Sequence, residues 1–225
     1  MKNQFLFDYP LGPGPFPAVI IAPGIRYPMD GSIFKELVRI FVEKGLVVAR
    51  LNWFFYLEDP VTGMPSENLQ TELAELRALS ATLRMDKRVN ATQIFVLGKS
   101  LGSVIAWRAF CADKDLLGAI LLTPLCATEE EKHYPLLATE ARPVLLIAGD
   151  NDPHCKLALV NQLAIGLGGK TALKLVAGNH NLELSGAMCQ QNGQSIEDLG
   201  IAFRRKISAL AMSIYAWIDA SLTNL

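Results

Sequence analysis

Ser100, Asp152 and His180 are the residue types that nucleophilic acyl chemistry needs. A serine hydroxyl attacks a carbonyl only when a base takes its proton, and imidazole titrates in the right range. The imidazole needs a carboxylate that fixes its tautomer and stabilises the imidazolium. Ser100 lies in Gly98-Lys99-Ser100-Leu101-Gly102. Before it runs the apolar stretch Ile94-Phe95-Val96-Leu97, long enough for a buried strand and too short for a helix. After it, Val104, Ile105, Trp107, Arg108 and Ala109 read as a helix. Strand, G-x-S-x-G, helix is the setting of a nucleophile elbow. On such a turn the serine occupies strained backbone, and side chains at Gly98 and Gly102 would clash. The Leu101 N–H is left at a helix start, free to donate to an oxyanion.

The partners have competitors. Asp150 and Asp152 both follow the apolar run Val144–Ala148, within Gly149-Asp150-Asn151-Asp152-Pro153. Asp150 alternatively caps or turns that loop. His180 follows the run Ala172–Ala177 in Gly178-Asn179-His180-Asn181, and the other two histidines are His133, beside glutamates, and His154, at a helix start. Both read as surface residues. Lys99 and Arg26 read as lining the mouth of the site, where they would attract an anion, or as ordinary surface charges. Trp53, Phe54 and Phe55 are candidates for an acyl-pocket wall, although aromatics after a strand more often fill core.

The elements that position these residues alternate. Residues 3–8 suit an edge strand, followed by a stiff stretch with Pro10, Pro13, Pro15 and Pro17. Ala18–Ala22 reads as a central strand leading into Pro23-Gly24-Ile25-Arg26. Phe34, Leu37, Val38, Phe41 and Val42 have helical spacing, with Gly45 as the stop. Leu46–Leu51 is the next strand, and Ser66–Met85 a long helix with leucines along one face. After the elbow come a strand at Leu116–Leu122, a short polar connection Cys126–Ala141 read as one helix, and a strand at Val144–Ala148. A helix over Leu157–Leu167, capped by Gly168-Gly169, precedes the strand Ala172–Ala177, and an amphipathic helix runs from Ser195. This alternation predicts one domain over residues 1–225, with a mainly parallel sheet of about six or seven strands covered on both faces. Functional groups in such sheets gather at the carboxyl ends of the strands, where Gly24-Ile25, Ser100, Asp152 and His180 all fall.

Composition narrows the function. Hydrophobic residues make up 51% and charged residues 19%, at a net charge of −1, so neither disorder nor a nucleic-acid or polybasic membrane surface is indicated. The N-terminal segment has no unbroken apolar core of the signal-peptide type, and no apolar run is long enough to span a bilayer. The four cysteines, Cys111, Cys126, Cys155 and Cys189, show neither C-x-x-C nor zinc spacing. A reduced, cytoplasmic protein without metal or cofactor is the economical expectation. Its partner would be a small-molecule ester, with no nucleic acid and no membrane.

The order Ser100, Asp152, His180 is that of the α/β-hydrolase topology, and nearly the whole chain resembles a small member of that family. Gly98–Gly102 matches the elbow, Gly149–Pro153 the strand-end acid motif, and Gly178-Asn179-His180 the histidine loop. The resemblance favours Asp152 over Asp150 and implies oxyanion donors at Leu101 and Ile25. It departs from the family in having Pro23-Gly24 where His-Gly is common. More narrowly, GKSLGS with GNHNLEL is similar to a dienelactone-hydrolase-like subgroup. That subgroup includes testis-expressed hydrolase-like proteins and a subunit of a nuclear acetyltransferase complex, some of which resemble scaffolds more than enzymes. The implied activity is that of a serine hydrolase acting on a small ester or thioester; the alternative is a non-catalytic interaction module on the same fold. The connection between Leu122 and Val144 leaves no room for a cap domain, so the expected mouth over Ser100 is open, floored by Gly24–Tyr27 and the Trp53–Tyr56 cluster.

Overall fold

The computed structural model describes residues 4–126, 133–134, 140–167, 170–183 and 196–223. Seven strands form one sheet: β1 (Phe5–Asp8), β2 (Phe16–Ala22), β3 (Val47–Leu51), β4 (Val89–Lys99), β5 (Leu116–Leu122), β6 (Val144–Gly149) and β7 (Thr171–Val176). Their order across the sheet is β1-β3-β2-β4-β5-β6-β7. β1 runs antiparallel to β3 at one edge, and every other pairing is parallel. β4, which leads into Ser100, is therefore central, and the strands before Asp152 and His180 lie progressively further along the same sheet.

Side-chain alternation makes the two cores. Ala18, Ile20 and Ala22 of β2 join Val96 of β4 against α3 (Gln70–Arg84) and α4 (Leu101–Ala112). Val19 and Ile21 join Phe95 and Leu97 against α1 (Ser32–Glu43) and the long C-terminal helix, here α6 (Ile196–Thr223). A strand buried on both faces must be apolar at consecutive positions, which is why VIIA and IFVL read as unbroken runs. On α6, Ile207, Leu210 and Ile214 are buried and Trp217 meets Phe95 edge-on, so the apolar stripe packs where its period requires. The short helix α2 (Phe54–Glu58) follows β3, and α5 (Leu157–Gly166) lies between β6 and β7.

Some boundaries differ from expectation. The long helix begins at Gln70 rather than Ser66, after a single 3₁₀ turn at Glu67–Leu69 in which Asn68 and Leu69 have φ of 56° and 60°. Buried Glu72 accepts hydrogen bonds from the Ser66 N–H and hydroxyl, so the turn is held by a side chain further along the chain than periodicity can show. The expected helix over Cys126–Ala141 falls mostly outside the described residues, as do the Gly168-Gly169 cap and Cys189. Cys126 itself forms a parallel bridge with Cys155. No described helix is long and apolar enough to cross a membrane.

Candidate active site

Lys99 ends β4 and Leu101 begins α4, so the chain reverses direction at a single residue. That residue, Ser100, takes φ 54° and ψ −122°, a conformation costly for any side chain but glycine. Its neighbours explain the two glycines. A Cβ on Gly98 would lie 2.1 Å from the Gly102 carbonyl oxygen, and one on Gly102 would lie 2.2 Å from that of Ala22. Both obstacles are backbone, so neither can move aside. The strained turn is held from behind. The Ser103 hydroxyl donates to the Ser100 carbonyl at 2.5 Å and meets the Tyr134 hydroxyl at 2.7 Å, which accepts the Leu125 N–H at 2.9 Å. Burial raises the Tyr134 pKa, so this phenol stays protonated and available as a donor.

Asp152 and His180 come together. Asp152 Oδ2 and His180 Nδ1 are 2.8 Å apart, and the carboxylate side chain is 0% exposed. The other oxygen, Oδ1, accepts the His154 N–H at 2.8 Å, so both oxygens are aimed. Asp150 points elsewhere: its Oδ1 accepts the Gly178 N–H at 2.9 Å and pins the loop that carries His180. Backbone bonds reinforce that loop, from Asn151 N–H to the Gly178 oxygen and from Asn179 N–H to the Glu183 oxygen. From α6, the Lys206 ammonium donates to the carbonyls of Ala177 and Leu182. Of the two acidic candidates, Asp152 meets the imidazole and Asp150 shapes its loop.

Ser100, Leu101, Gly24, Ile25, Tyr27, Lys99, Leu125, His154, His180 and Asn181 line one cavity of about 280 Å³. Leu101 is the first residue of α4, where backbone N–H groups have no intrahelical acceptor. Gly24 faces the serine so closely that a Cβ there would stand 3.1 Å from Ser100 Cβ and 3.6 Å from its Oγ. Gly24 thus packs against Ser100, and Ile25 and Leu101 line the same cavity. Among the described residues no cluster of His, Cys, Asp or Glu has the arrangement of a metal site.

Two expectations change. Lys99 does not stand at the mouth: it is 2% exposed, and its ammonium donates to the His180 carbonyl and to Asn181 Oδ1, each at 3.2 Å. Arg26 is exposed, at φ 54°. Trp53 and Phe55 are core residues, the commoner reading of aromatics after a strand, while the Trp53–Tyr56 cluster is absent from the cavity lining and so does not floor it; Phe54 is half exposed. The Trp53 indole N–H is committed to the Pro23 carbonyl at 2.8 Å, steadying the loop before Gly24. His154 is exposed, as a surface histidine near a helix start should be, and it also stands beside His180. Its ring lies 4.8 Å from that of His180, edge to face, on the cavity wall. The signal was available in Asp152-Pro153-His154, since an Asx turn brings the residue two positions on back against the carboxylate.

A mainly parallel sheet, a serine on a strained strand-to-helix turn and a histidine–carboxylate pair after neighbouring strands define a doubly covered α/β class. The chain belongs to the alpha/beta hydrolase domain family, whose profile matches residues 16–207. It is 32% identical over 105 residues to Esterase EstD of Thermotoga maritima, a match over 43% of this chain and 24% of that enzyme. The chain thus matches about a quarter of the length of that curated relative. Among solved structures, a protein of unknown function from Agrobacterium tumefaciens, provisionally described as an α/β hydrolase, superposes with a TM-score of 0.70 at 18% identity, covering 98% of this chain and 91% of that one. A serine hydrolase without a lid from Xanthomonas campestris superposes at 0.65 and 18% identity, over 98% and 88% of the two chains. At such identities these structures speak for the fold.

Proposed function

We propose that the protein is a serine hydrolase that cleaves a small carboxylic ester or thioester through an acyl-enzyme on Ser100. The observation that carries this reading is the 2.8 Å hydrogen bond between the buried Asp152 carboxylate and His180, which lines the same cavity as Ser100. His180, its Nδ1 proton held by Asp152, takes the Ser100 hydroxyl proton at Nε2 as Oγ bonds to the carbonyl carbon. Charge on the carbonyl oxygen is met by the Leu101 and Ile25 N–H groups. The proton then passes to the departing alcohol or thiol, and water repeats the sequence to release the acid. No step calls for a metal or cofactor.

The esterase homologue supports the reaction class, and the lidless Xanthomonas structure agrees with an open mouth served by a small acyl group. The pairing of GKSLGS with GNHNLEL extends the proposal to the dienelactone-hydrolase-like subgroup. A small-molecule enzyme of the cytoplasm, independent of nucleic acid and membrane, completes the reading. Hydrolysis of p-nitrophenyl acetate and butyrate tests it. Wild type should turn over and Ser100→Ala should not, with unchanged circular dichroism. Equal rates above background would remove Ser100 from the chemistry, and no wild-type turnover above background would favour a non-catalytic interaction module.

A further inference from the structure

Lys99, the residue before the serine, is an unusual occupant for its position. It is 2% exposed, and among the described residues the hydrogen-bond acceptors of its ammonium are neutral oxygens, the His180 carbonyl and Asn181 Oδ1. Its nitrogen sits 4.8 Å above the centre of the Tyr27 ring. Tyr27 is itself fixed, because its hydroxyl accepts the Ile33 N–H and its ring meets Phe34 edge-on. Burying an ammonium without a directly paired carboxylate is costly, and methionine would fill similar space without that cost. Packing alone therefore does not account for lysine here. What the ammonium does is cross from β4 to the loop beyond β7, joining the residue beside Ser100 to the backbone of the residue that carries the imidazole.

We propose that Lys99 is a positioning residue for His180, its buried ammonium holding the backbone of the histidine loop against the nucleophile strand while Asp152 holds the ring. This deepens the hydrolase reading and rests on it. His180 is then located at two points: Nδ1 by Asp152 and the carbonyl by Lys99. The other loop bonds fall at Gly178, Asn179 and Leu182, so Lys99 is what holds the His180 carbonyl itself, and a misplacement of about 1 Å costs on the order of 10²-fold in rate.

The charge has a second consequence. The groups around the ammonium are Asp152 and His154 from the acid loop, His180 and Glu183 from the histidine loop, and Tyr27 from the loop after β2; Arg26 there is exposed. Burial lowers the Lys99 pKa to about 8, opposed by Asp152 and Glu183, so the group is cationic through the range in which an imidazole titrates. A second positive charge beside that cation is electrostatically disfavoured, so the pH profile of the variants reads whether the ammonium faces the site.

The test compares Lys99→Met and Lys99→Arg with wild type on a short p-nitrophenyl ester. Lys99→Met should lower kcat by about 10- to 100-fold with KM nearly unchanged, and should move the acid limb of the kcat/KM profile to higher pH. Lys99→Arg should recover part of kcat and return the limb. Amide exchange across Asn179–Glu183 should quicken in Lys99→Met while β4 stays protected. A Lys99→Met enzyme with wild-type kcat and an unmoved acid limb would overturn the proposal, as would a rise in KM alone. If wild type turns over no ester, the hydrolase reading fails by itself. The exchange data then decide the role of Lys99 separately: faster loop exchange in Lys99→Met supports it, and unchanged exchange refutes it.

Discussion

Replacing Asp152 by asparagine changes one atom's hydrogen-bonding sense and little else. In the native site Oδ1 accepts the His154 N–H at 2.8 Å and Oδ2 faces His180 Nδ1 at 2.8 Å. The amide must keep its oxygen towards His154, because a buried N–H opposed by an NH₂ would leave two donors in conflict. The NH₂ then faces His180. Nδ1 answers by becoming an acceptor, which moves the ring proton to Nε2, the nitrogen that must take the proton from Ser100. The base is present but holds its proton on the wrong atom. The precedent for such a tautomer reversal is a loss on the order of 10⁴ in kcat, about 5 kcal/mol of barrier. Asp150→Asn is the control. Its Oδ1 accepts only the Gly178 N–H, and an asparagine oxygen does the same, so we expect less than roughly a 10-fold change. The assay is steady-state hydrolysis of p-nitrophenyl acetate at neutral pH, with thermal melts confirming that both variants fold. A mild Asp152→Asn beside a crippled Asp150→Asn would refute the assignment of the acid and the tautomer argument with it.

Other outcomes follow from the same geometry. Gly98→Ala and Gly102→Ala should each cost about 1–3 kcal/mol or more in urea denaturation, since the added Cβ meets backbone oxygen at 2.1 and 2.2 Å; stability within error of wild type would contradict the close packing of the elbow. In an acyl-length series, kcat/KM should peak at about two to four carbons, because a cavity of about 280 Å³ offers little wall for further methylenes, each worth roughly 0.8 kcal/mol when buried. A preference for long chains, or activation by micelles, would mean a deeper pocket. Folded Lys99 releases its proton near pH 8 whereas an unfolded lysine holds it to about 10.5, so between those values the unfolded chain binds more protons. Wild-type stability relative to Lys99→Met should therefore climb from pH 8 to 10, by up to about 3 kcal/mol; a flat difference would contradict burial of the charge. Cys126 and Cys155 are buried with their sulfurs 2.6 Å apart, and their mutual hydrogen bond together with burial raises the Cys155 pKa. Peptide mapping should find both slow to alkylate until the protein unfolds, and rapid native labelling of Cys155 would contradict this.

Much of the architecture was legible because its cause is local. A strand covered on both faces has to be apolar at every position, and VIIA, IFVL and VLLIA show that directly. Ser100 was legible because only a tight turn needs glycine on both sides of a serine. His180 and Asp152 were legible as strand-end residues. What escaped depends on where a loop side chain points once the loop has closed. Asp150 and Asp152 are equivalent by position, and only the Gly178 N–H and the His180 ring separate their roles. A lysine beside the nucleophile reads as a mouth residue, yet the turn at Ser100 sends it inward beneath the histidine loop. The aromatic cluster at Trp53–Tyr56 lies one strand away from the cavity, a distance that only the order β3-β2-β4 reveals. Cys126 itself donates its N–H to the His154 carbonyl and accepts the Lys156 N–H at its own carbonyl, and no periodicity in 126–141 encodes that pairing.

The central claim is that Ser100 is an activated nucleophile and not merely a serine on a sharp turn. Fluorophosphonates form a stable adduct with a serine whose proton is being drawn away, so labelling reads activation itself without a known substrate. The native protein should take up one label, mapped to the peptide containing Ser100, with Ser100→Ala unlabelled and His180→Ala labelled far more slowly. A folded wild-type protein that stays unlabelled, or a label that persists in Ser100→Ala, would contradict the account.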